Sequence, residues 1–146
     1  MRKVMFIGQT GSGKTTLSQW LQKKDLAYHK TQQVYYFDDS IDTPGEFMEN
    51  RFYYNALVSA SVDAEVIAFV QDPTGSQNYF PPFFSSRFNK KVIGIITKID
   101  LSDEQALCKA RELLKLAGAT EIFEVSVITG RGLEELNAFL FDSQQR

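Results

Sequence analysis

Gly8-Gln9-Thr10-Gly11-Ser12-Gly13-Lys14-Thr15 satisfies G-x-x-x-x-G-K-[ST] at every position. That spacing suits one chemistry, the cradling of phosphates. Glycines let the backbone curl so that successive N–H groups face anionic oxygens. Lys14 then reaches the outer phosphates, and the Thr15 hydroxyl is placed to ligate Mg²⁺. The motif carries meaning only between a strand and a helix. Val4-Met5-Phe6-Ile7 supplies an apolar run before it, and Thr16-Leu17-Ser18-Gln19-Trp20-Leu21 has helical spacing after it. Residues 8–16, ending on Thr16, are therefore the expected nucleotide-binding loop, with Lys14 stabilising charge on a transferring phosphoryl group.

The elements that must hold such a loop alternate along the chain. Strands are expected at 3–7, 34–37, 65–70, 91–96 and 122–126, and helices near 14–24, 47–61, 103–118 and 133–141. Val66-Ile67-Ala68-Phe69-Val70 and Val92-Ile93-Gly94-Ile95-Ile96 are apolar throughout, as suits strands buried on both sides. Alternation with such runs predicts an α/β three-layer sandwich on a mainly parallel sheet. Asp103-Glu104-Gln105 behind Ser102 predicts a capped helix start, Gly118 its left-handed stop, and Gly130-Arg131-Gly132 a turn before the last helix. The tract 73–89, with Pro81-Pro82, predicts a loop holding a short irregular helix. At 146 residues, one P-loop domain over 1–146 is expected.

Three further elements follow the phosphate loop in order. Asp42-Thr43-Pro44-Gly45 resembles the D-x-x-G element of GTPases of the translation-factor-related class. That resemblance implies that Asp42 holds Mg²⁺ through a water and that the Gly45 N–H senses the γ-phosphate. Thr97-Lys98-Ile99-Asp100 resembles the [NT]-K-x-D element that reads guanine. It implies that Asp100 accepts from the ring N1–H and the exocyclic amine while the Lys98 stem lies along the base; adenine lacks that donor pair. Ser126-Val127-Ile128 stands where that class carries S-A-x, whose backbone N–H meets the guanine O6. Each short string alone recurs by chance, and an Asp after a strand is often only a cap. Four in order, each after an expected strand, converge on the carboxyl-terminal edge of the sheet, where open α/β sheets bind ligands.

The whole chain resembles the EutP/PduV family of small P-loop proteins from ethanolamine and propanediol utilisation. Lys30-Thr31-Gln32 and Ile41-Asp42-Thr43-Pro44-Gly45-Glu46 carry the resemblance beyond the P-loop. It implies a small G-domain-like fold working in the cytoplasm alongside a bacterial microcompartment. Within this family the resemblance also raises acetate kinase activity, in which ATP phosphorylates acetate. Two departures separate the chain from Ras-like enzymes. Only 27 residues lie between Lys14 and Asp42, too few for a full switch I and a complete second strand, so a truncated sheet edge is expected. Thr31 is the candidate switch threonine for Mg²⁺, with an unliganded surface threonine as the competing reading. Glu46 follows Gly45 where Ras-like enzymes carry a water-orienting Gln. A carboxylate positions or deprotonates water but repels the γ-phosphate, so slow hydrolysis is expected.

Composition narrows the alternatives. Sixteen basic residues nearly balance 18 acidic ones, giving a net charge of −2, and they are scattered, which disfavours nucleic acid as the main partner. No apolar run approaches a membrane span and no signal peptide is expected, predicting a soluble cytosolic chain. Cys108 reads as a buried or idle thiol, and His29, without a ligand pattern around it, as a solvated loop residue. Arg51, Arg87 and Arg131 read as surface charges, with nothing favouring an arginine finger. Aromatics cluster at 35–37, at 52–54 and at 79–84, the last with Tyr79, Phe80, Phe83 and Phe84. They either cap the core or form a partner surface, for which 79–84 is the better candidate. Three functions compete: a slow GTPase, an acetate kinase, and a nucleotide-regulated adaptor docking to a microcompartment shell.

Overall fold

Successive strand residues point to opposite faces, so a strand covered on both sides must be apolar at nearly every position. The computed structural model describes residues 4–8, 13, 16–17, 19–21, 40–42, 54–74 and 80–142. Within them five strands form one sheet: β1 (Val4–Gly8), β2 (Ser40–Asp42), β3 (Val66–Gln71), β4 (Lys91–Ile96) and β5 (Glu121–Glu124). Their order is β2-β1-β3-β4-β5, and every pairing is parallel. All residues of β1 and β3 are buried, as their unbroken apolar runs require.

The alternation sorts the core into two layers. On one face Met5, Ile7, Ile67, Phe69, Val92 and Ile96 pack with Leu57 of α1 (Tyr54–Ala60) and with Leu107 and Leu114 of α2 (Glu104–Ala117). On the other, Val4, Phe6, Val66, Ala68, Ile93 and Ile95 meet Leu17 and Leu21 behind the phosphate loop and Leu133, Leu136 and Leu140 of α3 (Leu133–Asp142). The result is the three-layer α/β sandwich that the pattern predicted.

Several boundaries move, each for a local reason. The first strand ends one residue later than expected, the third both begins and ends one residue later, and the fourth matches. The last strand is shorter: Val125 still donates to Ile96 O at 2.8 Å, but the Ser126 N–H turns to Arg131 O at 2.9 Å and the chain leaves the sheet. The expected strand at 34–37 lies outside the described residues; the described strand at that edge is the three-residue β2, running parallel to β1. Of the helix expected at 47–61, Tyr54–Ala60 is described and runs into a 3₁₀ turn at Ser61–Asp63.

Asp103, not Ser102, caps α2. Its side chain accepts from the Ala106 N–H at 2.8 Å, whereas the Ser102 hydroxyl donates back to Lys98 O at 3.1 Å. Gly118 ends that helix at φ +109, and a Cβ there would lie 1.8 Å from Ser85 Oγ, so both backbone conformation and space demand glycine. Cys108, expected to be buried or idle, is exposed on α2.

The proline-aromatic tract holds the expected short helix, a 3₁₀ turn over Phe84–Arg87. Tyr79 lies outside the described residues. The partner-surface reading fails for most of the rest, because Phe80, Phe84 and Phe88 are buried around Phe69, with ring centroids 4.5, 5.4 and 6.1 Å from it. Among the described phenylalanines of the tract Phe83 alone turns out, 71% exposed in a left-handed conformation, while its N–H donates to Leu116 O at 2.9 Å. Adjacent Phe83 and Phe84 cannot both point inward, and the backbone at Phe83 resolves the conflict.

Candidate functional site

A parallel sheet presents all its strand ends on one edge, so residues distant in sequence meet there. Gly8 ends β1 in register with Val70, and Gln71, the last residue of β3, pairs with Ile96 of β4. Asp42 closes β2 beside Phe6. The chain therefore brings the ends of β1, β2, β3 and β4 to a common edge, and the expected site residues leave from it.

Gly13 is the described residue of the phosphate-loop interior. Its φ of +97 is one that side-chain-bearing residues rarely adopt, and a Cβ there would sit 3.4 Å from Thr97 Oγ1. Gly13 thus lies close against Thr97, the first residue of the 97–100 segment. Leu17 donates to Gly13 O at 3.0 Å, so the helix begins from this glycine, and Thr16 is exposed in its first turn. Gln9, Thr10, Gly11, Ser12, Lys14, Thr15, Thr31, Gly45 and Glu46 lie outside the described residues, as do His29 and Arg51.

The opposite end of the edge is built from side chains. Thr97 is buried, and its N–H donates to Gln71 O at 2.9 Å. Lys98 takes a left-handed conformation (φ 56, ψ 36), which starts a 3₁₀ turn over Ile99–Leu101 and sets the exposed Asp100 at its centre. From the next loop the fully buried Ser126 donates its hydroxyl to Asp100 Oδ1 at 2.8 Å and accepts from the Thr129 N–H at 3.1 Å. The Ile99 N–H donating to Val125 O at 3.4 Å ties the same two loops by backbone. An ionised carboxylate has about four acceptor positions, so the serine occupies one and the exposed remainder can receive N–H donors from a ligand.

In the 126–128 segment, expected to offer a backbone donor, the Ser126 N–H is donated to Arg131 O at 2.9 Å. Half-buried Val127 follows it in the loop.

Sequence reasoning missed Asp72. It lies one residue past β3, and its Oδ2 accepts from Lys98 Nζ at 2.8 Å. Its Oδ1 accepts from the Thr74 N–H at 2.8 Å and from the Thr74 hydroxyl. Burial pushes this carboxyl's pKa up, but the hydrogen bonds from Lys98 and Thr74, aided by the lysine's charge, outweigh it and hold the pKa below the ordinary carboxylate value. An Asp-x-Thr turn was the available signal, since Asp followed by a hydroxyl residue two positions on commonly closes such a turn.

Comparison with known proteins places the chain. The PduV-EutP family, described as ethanolamine utilisation - propanediol utilisation, matches residues 1–142. "Propanediol utilization protein PduV" of Citrobacter freundii is 37% identical over 140 residues, 96% of this chain and 93% of the relative. "Probable acetate kinase EutP" of Escherichia coli (strain K12) is 28% identical over 142 residues, 96% of this chain and 89% of the relative. Among solved structures, the G-domain of FeoB from Methanococcus jannaschii superposes with a TM-score of 0.63 at 16% identity, covering 99% of this chain and 98% of that one. The fold is that of P-loop G-domains. Among the described residues no helix is long and apolar enough to cross a membrane.

Proposed function

The chain belongs to the PduV-EutP family, and from that premise we propose that it is a single-domain, Mg²⁺-dependent P-loop protein over 1–146 that binds GTP and hydrolyses it slowly in the service of propanediol or ethanolamine utilisation. The Asp100–Ser126 hydrogen bond of 2.8 Å carries the reading. A buried hydroxyl fixes an exposed carboxylate at the sheet edge that also carries a phosphate-binding sequence. A fixed acceptor of this kind matches the N1–H and exocyclic amine of guanine, and adenine offers no equivalent pair.

On this reading Asp100 accepts both guanine donors, Ser126 holds the carboxylate in place, and the Val127 N–H meets O6. The Lys98 stem lies along one face of the base. The close approach of Gly13 to Thr97, which leaves little room for a Cβ, would set the distance between the base and the phosphates. At the phosphates, Gln9, Thr10, Gly11, Ser12 and Thr16 with Gly8 and Gly13 form the cradle, Lys14 stabilises the charge of the transferring group, and the Gly45 N–H senses the γ-phosphate. Glu46 orients the attacking water at the cost of repelling the phosphate, which keeps turnover slow.

A carboxyl-bearing residue, Asp42, ends β2 beside the strand that runs into the phosphate loop, which fits the oxygen-donor needs of Mg²⁺ there. Asp42 and Thr15 would hold the ion, with Thr31 a candidate third residue. Bound there, Mg²⁺ would neutralise charge on the β- and γ-phosphates.

A second reading comes from the name of the Escherichia coli relative: the same cradle would pass the γ-phosphoryl of ATP to acetate. One assay separates the two. Phosphate and acetyl phosphate are measured with Mg²⁺ and either GTP or ATP, with and without acetate. The GTPase reading expects GTP-selective phosphate release indifferent to acetate; acetate-dependent acetyl phosphate would replace it. Docking to a microcompartment shell is compatible with either chemistry and now rests on Phe83, since its neighbours Phe80 and Phe84 are buried.

A further inference from the structure

Two carboxylates neighbour one lysine at the base end of the sheet, one along the chain and one across the sheet. Asp100 follows Lys98 by two residues, and Asp72 approaches from the neighbouring strand because Gln71 pairs with Ile96. Lysine has a long flexible stem and a compact charge, so nothing in its own chemistry decides between them. In the structure Lys98 Nζ lies 2.8 Å from Asp72 Oδ2, while Asp100 Oδ1 receives the Ser126 hydroxyl.

The physical reason lies in how Asp72 is held. Its second oxygen is fixed by the Thr74 N–H and hydroxyl, so the carboxylate is aimed before the lysine arrives. Its side chain is 17% exposed, which leaves the pair less screened than one in open solvent. The Lys98 backbone is equally constrained. Its left-handed conformation is costly for a residue with a Cβ and persists only where surroundings over-determine it. Here Lys98 O accepts from the Leu101 N–H at 3.0 Å and the Ser102 hydroxyl at 3.1 Å.

We infer that Asp72 is a positioning residue for base recognition: it draws the Lys98 ammonium towards β3 and so keeps the Asp100 carboxylate uncovered for the base. The inference rests on the guanine-binding reading above. Without the Asp72 charge, the ammonium falls towards Asp100, neutralises it and competes with the N–H donors of guanine. Asp72 itself touches no ligand in this scheme and acts through Lys98.

The test is a double-mutant cycle on Asp72→Asn and Lys98→Met, reading GDP and ADP affinity by calorimetry. Asp72→Asn should weaken GDP about tenfold, the scale of a hydrogen bond to a charged group, and leave ADP unchanged. In the Lys98→Met background the same change should cost less than about twofold, because the group through which Asp72 acts is gone. Equal losses for GDP and ADP, or the same tenfold loss in both backgrounds, would make Asp72 a structural residue and overturn the inference. Asp72→Glu provides an arm that does not depend on Lys98→Met folding: it keeps the charge and should recover most of the lost GDP affinity, and failure to recover counts against the inference. Wild type binding GDP no tighter than ADP would instead sink the guanine reading, and the inference with it. A wild-type preference for GDP that Asp72→Asn leaves intact would sink the inference alone.

Discussion

The base end of the sheet edge and the aromatic tract at 80–88 were both candidates for contact with something outside the chain, and they are built on opposite plans. At the base end, hydrogen bonds among Asp100, Ser126 and Thr129 fix polar groups while leaving the Asp100 carboxylate exposed. In the tract, Phe80, Phe84 and Phe88 turn inward around Phe69, and of its phenylalanines Phe83 alone faces out. Hydrogen bonding in the first leaves a carboxylate exposed, whereas packing in the second fills the core. A cluster of functional-looking residues is therefore judged by what its groups leave unspent. Asp100 retains acceptor capacity; the phenylalanines, one excepted, have none of their surface left.

The contrast can be broken from the core side first. Phe84 is 2% exposed and sits 4.9 Å from Tyr54 and 5.5 Å from Phe88. Phe84→Ala should cost about 3–5 kcal/mol of stability in denaturant unfolding, while the folded fraction retains wild-type GDP affinity. A large affinity loss per folded molecule would show that the tract supports the base site after all.

The next effect sharpens the other side. Ser126→Ala removes the hydroxyl that fixes Asp100 and should weaken GDP about tenfold by calorimetry, with ADP little changed. If GDP affinity holds, the serine is a loop-closing residue through the Thr129 N–H and not a support for recognition.

A smaller effect concerns pH. The Asp72 carboxyl titrates below its ordinary value in the folded chain, so the unfolded chain binds its proton first as pH falls. Its contribution to stability is full above the ordinary carboxylate pKa and is lost as pH drops through the lower folded value. Thermal unfolding of Asp72→Asn between neutral and strongly acid pH should show a shallower acid decline than wild type; parallel curves would contradict the ion pair's role.

The smallest expected effect is at Phe83. Phe83→Ser should change stability by less than about 0.5 kcal/mol and leave phosphate release unaltered. Loss of turnover in this variant, with folding intact, would contradict the separation of tract and site.

Much of the fold was readable because a parallel sheet buried on both faces needs unbroken apolar runs, and residues 66–70 and 92–96 are such runs beside well-marked turns. Gly118 announced its helix stop through its own chemistry. The placement of residues 97–100 and 126–128 was readable as ordered short strings after strands. What escaped depended on contacts between segments far apart in sequence. The Asp72–Lys98 pair spans 26 positions, and it exists because β3 and β4 pair in one register. The Ser126 N–H is lost to Arg131 because the loop folds back on itself. Which of Phe83 and Phe84 turns inward was set by a left-handed backbone that no residue type there advertises.

The central claim is that Asp100 reads the base, and the most direct measurement is the affinity of wild type and Asp100→Asn for GDP and xanthosine diphosphate. Exchanging the carboxylate for an amide replaces an acceptor with a donor and should invert the preference. Wild type should favour GDP, and Asp100→Asn should favour xanthosine diphosphate, each by about a hundredfold. If Asp100→Asn changes neither affinity nor preference, the base lies elsewhere and the Asp100–Ser126 pair only holds two loops together.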